Sequence, residues 1–244
     1  MQEQMYHYFH EVEDRHWWFQ GRKEVVLAFI DRYSRSAKER KILDVGCGTG
    51  MMLQALKEYG EVWGLDKSVK AIEYSRTRAP GAHLMQGSFP EQIPQGQFDI
   101  ITFLDVLEHI ENDKEALRKL VDILQPNGTL IITVPAYQFL WTSRDDMNEH
   151  KRRYTLPELR EKILGANLQI KKISYYNTLL FAPIALLKLV SRFLLRSPKS
   201  HFGAKQPSAW INFSLRILFS FEKYLLSFMN FPFGISLIVV AKRK

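Results

Sequence analysis

The chain has 244 residues, 46% of them hydrophobic and 13% aromatic, ample for one large α/β domain with an elaboration or for two small domains. A single cysteine, Cys47, excludes an internal disulfide, and nothing in the sequence requires an oxidising compartment. The net charge of +8 is divided: residues 1–150 carry 17 Lys+Arg and 23 Asp+Glu, whereas residues 151–244 carry 17 and 3. A polyanionic partner, either a membrane surface or nucleic acid, is therefore expected for the C-terminal part.

The polar stretch Met1 to Asp14 is followed by no apolar run, so no secretory signal is expected and the protein reads as cytoplasmic. Tyr6 to Phe19 is dense in aromatics and histidine and ends in Arg15-His-Trp-Trp-Phe19. Gly21-Arg-Lys then precedes an apolar-periodic helix, Glu24 to Tyr33. Two adjacent tryptophans cannot share one helix face, so one packs inward and the other meets a ligand or partner. This segment either caps the sheet or forms a lid over a ligand.

Ile42 to Val45 reads as a buried strand, Gly46 to Gly50 as a tight glycine loop, and Met51 to Tyr59 as a helix. A strand running through glycines into a helix is the cofactor-cradling turn of a doubly wound sheet. A dinucleotide fingerprint wants G-x-G-x-x-G; here the pattern is Gly46-x-Gly48-x-Gly50, with Met51 in the place of the third glycine. Asp44, two positions before the first glycine, would repel a pyrophosphate but suits a cofactor carrying an ammonium and a sulfonium. On Leu43-Asp-Val-Gly-Cys-Gly-Thr-Gly50 the chain resembles the class I S-adenosylmethionine-dependent methyltransferases. The resemblance implies S-adenosylmethionine as cofactor. Relatives often carry Trp-Trp followed by Gly-Arg near the cofactor entrance, which brings in Trp18 and Arg22.

Glu61 to Leu65 is a second strand ending in Asp66, 20 residues beyond Gly46, the separation a strand-helix-strand unit imposes. In this fold the acid there accepts both ribose hydroxyls. Ser68 can cap the helix Val69 to Arg78, and Ala82 to Gln86 is a third strand. Related methyltransferases usually place an acid after it for the adenine amine, where this chain has Gly87-Ser88-Phe89. Phe98 to Leu104 is a continuous apolar strand suited to the centre of a parallel sheet. The cofactor is thus expected against Arg22, Asp44, Gly46, Cys47, Gly48, Gly50, Asp66, Lys67, Ser88, Phe89 and Leu104.

The exit of that strand, Asp105-Val-Leu-Glu-His109, resembles the post-strand motif of the ubiquinone-biosynthesis type of O-methyltransferase. In some relatives its acids and histidine are implicated in binding a divalent cation. Here Glu108 is read as starting a helix and His109 as packing beneath the cofactor, so no metal is expected. Asp113 to Leu124 is an amphipathic helix closed by Pro126-Asn-Gly128, and Thr129 to Val134 a fifth strand. The long loop after it contains Trp141, Asp145, Asp146 and Glu149-His-Lys-Arg-Arg-Tyr154. His150 is the leading general-base candidate and His109 the other; either would take the acceptor's proton. Trp18, Trp141, Arg153 and Tyr154 are the residues expected to meet the acceptor, and Arg152, Arg153 and Tyr154 could bind an anionic group on it. Thr155 and Glu158 form a capping box for the helix Leu156 to Leu164.

Leu168 to Tyr176 and Gly234 to Ala241 suit the last two strands, an antiparallel hairpin in the bare fold. Between them lies an insert with the apolar run Leu179 to Leu195, a polar linker and a second helix, Ala209 to Met229. Neither run reaches the ~18 uninterrupted apolar residues of a spanning helix. On a wheel, Asn212, Arg216, Ser220, Lys223 and Ser227 form one narrow stripe, and nearly everything else is aromatic or aliphatic. That pattern fits an in-plane helix on an anionic membrane, a cover for a hydrophobic substrate tunnel, or an oligomer interface.

The expected architecture is α/β: a doubly wound, Rossmann-like, seven-stranded, mostly parallel sheet with a helical insert before the last strand. Residues 1–36 would form a helical cap or lid, 37–176 with 234–244 the core, and 177–233 the hydrophobic basic insert. The expected activity is methyl transfer to an oxygen of a small amphiphilic or lipid-like acceptor. Two readings stand beside it: a nucleic-acid methyltransferase, and a cofactor-binding membrane scaffold without turnover. Against the first, the C-terminal bases are interleaved with aliphatic runs instead of forming a hydrophilic groove.

Overall fold

The computed structural model describes residues 3–34, 40–186 and 207–243. Seven strands form one sheet: β1 (Lys41–Val45), β2 (Glu61–Asp66), β3 (His83–Gln86), β4 (Phe98–Leu104), β5 (Leu124–Pro135), β6 (Leu168–Tyr176) and β7 (Ser236–Arg243). Their spatial order is β3-β2-β1-β4-β5-β7-β6. Only β7 runs antiparallel to its neighbours, β5 and β6. The central strands β1 and β4 are almost wholly buried, which is why they read as unbroken apolar runs. The sheet order reverses beside β1, so β1 and β4 diverge into connections on opposite faces and open a crevice at their C-terminal ends.

The helices that flank the sheet include α1 (Glu3–Val12), α2 (Trp17–Tyr33), α3 (Met51–Leu56), α4 (Val69–Arg78), α5 (Asp113–Ile123), α6 (Ser143–Met147), α7 (Leu156–Gly165) and α8 (Ala209–Phe228). Ser68 caps α4 through Ala71 N–H, and the Thr155–Glu158 capping box opens α7. The turn at Pro126-Asn-Gly128 lies near the start of β5, where the pairing with β4 jumps from Phe98↔Leu124 to Ile100↔Thr129.

Two local expectations differ from the structure. The helix expected from Glu24 begins at Trp17, so Gly21, Arg22 and Lys23 lie inside it. Its cap is His16, whose Nδ1 accepts Trp18 N–H at 3.2 Å, not one of the short polar residues that announce a helix start. Gly21 is tolerated there because α8 crosses at that point: a Cβ on it would stand 2.3 Å from Phe219 Cδ1.

The second difference concerns α8. Its polar stripe faces the protein and its apolar face is outward. Asn212 accepts Trp17 N–H at 2.9 Å, while Arg216 and Lys223 both reach Glu24 of α2, at 2.9 and 3.0 Å. In an in-plane membrane helix, one of the three arrangements the pattern fits, the stripe would meet lipid headgroups; here Glu24 neutralises it. Of the insert, residues 187–206, with Lys188, Arg192, Arg196 and Lys199, lie outside the described residues. No described helix is long and apolar enough to cross a membrane.

Candidate active site

A cavity of about 890 Å³ opens at the C-terminal ends of β1, β2 and β4, roofed by α1 and the first turns of α2. The three loop glycines are needed for three different reasons. Gly46 (φ 74°) leaves room for Val106, whose Cγ2 would lie 2.4 Å from an added Cβ. Gly50 (φ 88°) lets α3 approach α4, with Ser75 Cα 2.8 Å from the same hypothetical atom. Gly48 (φ 55°) has nothing within 4 Å of that position and lines the cavity, so a side chain there would fill ligand space and not strike protein.

Asp66 closes the other side of the loop. Its Oδ2 accepts Gly48 N–H at 2.9 Å; its Oδ1 accepts Ser68 N–H at 2.9 Å and the Tyr6 hydroxyl at 3.3 Å. Burial raises its carboxyl above the usual range against those donors. Asp44 lies deeper, buried between β2 and β4, where the Thr102 hydroxyl donates to its Oδ1 at 2.6 Å. Burial pushes its carboxyl up to about 7, opposed by Thr102 and by Arg22. A buried acid poised near neutrality gains its charge most readily when a cation arrives beside it.

The roof is held by Arg78 of α4. Its guanidinium reaches Glu13 and Asp14 after α1, the His10 carbonyl and Thr49 of the glycine loop, and Thr49 also donates to Glu13. The N-terminal segment is thereby tied to the loop it covers.

The far half of the cavity is built around the exit of β4. Asp105 adopts a left-handed conformation (φ 56°), pairs with Arg22 and accepts the Thr133 hydroxyl at 3.1 Å. Arg22 lies over the Trp18 ring, 4.6 Å from its centroid, and its Nε is buried without a partner among the described residues. Glu108 is fully buried with neither carboxyl oxygen bonded, and burial, then Asp105, drive its pKa far upward. His150 Nε2 stands 3.9 Å from Glu108 Oε1 and its Nδ1 2.9 Å from Asp145 Oδ1. Asp145 is held by Thr142 N–H and by Arg153, whose Nε and Nη2 both reach it. Against the upward push of burial, His150 and Arg153 keep it ionised, with a pKa of about 2. His109 meets His150 edge-on and is depressed to about 4, by burial first and then by His150.

Ligand atoms of Glu108, His109 and His150 all lie within 4.8 Å of one another, a set that could hold a divalent cation. Asp105, the first acid of the motif, is committed to Arg22 and is not part of it.

Residues 18–173 match the family model described as a methyltransferase domain, well over half of the chain. The chain belongs to this methyltransferase family. S-adenosylmethionine is the cofactor of the domain. Among curated proteins it is similar to ubiquinone biosynthesis O-methyltransferases: 31% identical over 118 residues to that of Histophilus somni (44% of this chain, 50% of that one), and 26% over 172 residues to that of Rickettsia canadensis (62% and 72%). The chain spans about half the length of the first of these relatives. The fold is shared with magnesium protoporphyrin IX methyltransferase of Synechocystis, solved with S-adenosylhomocysteine (TM-score 0.58, 15% identity, 92% of this chain and 83% of that one). It is shared likewise with an S-adenosylmethionine-dependent methyltransferase of Mesorhizobium loti (TM-score 0.58, 16% identity, 88% and 98%).

In this methyltransferase the structure brings Arg22, Asp44, Gly46, Cys47, Gly48, Asp66, Lys67, Ser88, Phe89 and Leu104 to one cavity, with Trp18, His109, His150 and Arg153. Gly50 is not among the lining residues, because its part is the contact with Ser75. Trp141 and Tyr154 do not line it either. Trp141 donates to Asp146 at 2.9 Å; Tyr154 is buried, its hydroxyl 3.0 Å from Asp113. Arg152 and Arg153 are spent on Asp113 and Asp145, which leaves neither free for an anionic acceptor group. Sequence reasoning did not single out Tyr6, Glu13, Arg78 or Asp145 for the site. For Asp145 a signal existed: Thr142-x-x-Asp145 is a capping box, and it fixes the carboxylate that His150 meets.

Proposed function

We propose that this methyltransferase transfers a methyl group to an oxygen of a small amphiphilic or lipid-like acceptor. The observation that carries the reading is that the cofactor cradle (Gly48, Asp66) and the His150 imidazole open on the same cavity. S-adenosylmethionine supplies an electrophilic methyl on a sulfonium, so the chain's task is alignment, exclusion of water and removal of one proton. Gly48 would leave room for the cofactor, Asp66 would hold its ribose hydroxyls, and Asp44 would meet its ammonium. Arg22, with its unpartnered Nε, is the donor for a carboxylate.

On the acceptor side, ionised Asp145 accepts a hydrogen bond from His150 Nδ1–H, so Nε2 is the free base and receives the acceptor's hydroxyl proton. His109, depressed to about 4, and Glu108, pushed upward by burial, wall that position. Trp17, Trp18, Phe19 and Ile184 line the same cavity, an apolar surround for an amphiphilic molecule. The curated relatives' names support oxygen as the acceptor atom. The cap formed by α1 and the start of α2 acts as the lid that excludes water. The setting is cytoplasmic and peripheral to a membrane.

A nucleic-acid acceptor is disfavoured because Arg152, Arg153, Arg216 and Lys223 are all paired with acids of the same chain. The test is label transfer from radioactive S-adenosylmethionine into a cell extract separated into lipid, nucleic-acid and small polar pools. Label is expected in the lipid pool; label confined to nucleic acid sinks the reading.

A further inference from the structure

We infer that the outward face of α8 is a docking surface for a bilayer with anionic headgroups. The inference rests on the amphiphilic-acceptor reading only for the reason a bilayer is approached; the surface itself is argued from α8.

Trp210, Phe213, Ile217, Phe221, Tyr224 and Phe228 recur at spacings of three, four, four, three and four and form one outward stripe. All are at least half exposed, Trp210 at 82% and Phe228 at 89%. A stripe of this size left open to water is unfavourable unless something covers it. The helix cannot roll to hide it. Its opposite side is fixed by Asn212 on Trp17 N–H, by Arg216 and Lys223 on Glu24, and by Phe219 against Gly21. Glu222 is buried and accepts Thr178 and Leu179 N–H at 2.7 and 2.8 Å, which pins the same helix to the end of β6. Turning the stripe inward would strand Glu24 and Glu222 without their partners.

Charge selects the occupant. The stripe contains no acid, and residues 187–206, which lead directly into α8, carry five Lys/Arg and no Asp/Glu. A second copy packed on the stripe would bring two such segments together, at a cost in like-charge repulsion. An anionic leaflet attracts them, and tryptophan and tyrosine suit the headgroup boundary. No described helix spans a bilayer, so the mode is in-plane, with the apolar face seated in the headgroup–acyl boundary. The inner side of the same helix reaches the cavity: Trp17 lines the cavity and packs edge-on against buried Phe219 of α8, ring centroids 5.9 Å apart. A docked molecule would hold α8 between the lipid and the Trp17 wall of its cavity.

The test is co-sedimentation of the full chain with equimolar phosphatidylglycerol–phosphatidylcholine vesicles and with phosphatidylcholine alone, beside a triple variant Phe213→Ser, Ile217→Ser, Phe221→Ser. The expected result is binding to the anionic vesicles at least about tenfold tighter than to the neutral ones, weakened by salt and lost in the variant. S-adenosylhomocysteine affinity should stay the same in both proteins, which shows that the variant is folded. Equal binding by the variant overturns the assignment to this face. A wild type that ignores both vesicles overturns the bilayer. The occupant is then a second copy if the chain is a dimer that the variant dissociates, and residues 187–206 if it is a monomer. Lipid-pool labelling without vesicle binding would sink the docking surface and leave the acceptor reading standing; vesicle binding without such labelling would do the reverse.

Discussion

Asp145 accepts a hydrogen bond from His150 Nδ1 at 2.9 Å, and because that carboxylate stays ionised down to a pH of about 2, it decides which imidazole nitrogen carries the proton. The other nitrogen, Nε2, stands 3.9 Å from buried Glu108 Oε1, and His150 lines the cavity. Asp145 does not itself line up with the acceptor; it acts through His150 and is a positioning residue.

Asp145→Asn should therefore lower kcat by roughly 100-fold or more while leaving donor affinity within about twofold of the native value. His150→Ala should do the same, and the double variant should be little worse than either, because the pair works as a unit. Steady-state kinetics with the labelled acceptor pool, alongside calorimetry with S-adenosylhomocysteine, checks this. Additive losses in the double variant would separate the two residues.

The cradle makes a second prediction. Asp66→Ala removes a charge-assisted acceptor for the ribose hydroxyls, and S-adenosylhomocysteine affinity should fall by about 1.5–3 kcal/mol, at least tenfold. Gly48→Val should abolish binding, since its side chain enters ligand space, while the far-UV spectrum is retained. Unchanged affinity in Asp66→Ala would remove that residue from the site.

Asp44 links binding to pH. Its folded pKa of about 7 lies above the ordinary 3.8, so the folded chain keeps a proton that the unfolded chain releases. The resulting contribution to stability is fully present below pH 3.8 and is lost as pH rises to about 7. The cofactor's ammonium favours the ionised carboxylate, so binding just below neutral pH should release a proton. Calorimetry in buffers of different ionisation enthalpy should show this as a buffer-dependent heat. Asp44→Asn should erase the buffer dependence and flatten stability against pH over the same interval.

The last prediction concerns the three-ligand cluster. With Nε2 of His150 reserved for the acceptor and Asp105 held by Arg22, turnover should survive EDTA unchanged. Loss of activity on chelation, restored by Mg²⁺, Mn²⁺ or Zn²⁺, would make Glu108, His109 and His150 metal ligands and move the base elsewhere.

Much of this molecule was legible from local pattern. Strand-loop-helix order, the Gly46–Gly50 loop and the interval to Asp66 identify the fold and the cofactor, because a βαβ unit forces those residues to one sheet edge whatever surrounds them. β4, β6, α4 and the start of α7 follow from apolar runs and caps, which are properties of neighbours in sequence. What tertiary structure alone decided depends on pairs far apart in the chain. The hydrophobic wheel of α8 is unmistakable in sequence, but which face turns inward depends on distant partners, among them Glu24, 192 residues from the Arg216 that it draws against α2. By sequence Arg153 and Tyr154 can each meet an acceptor; in the fold Asp145 and Asp113 hold them. Charge and periodicity state what a side chain can bind; only the fold states what has already bound it.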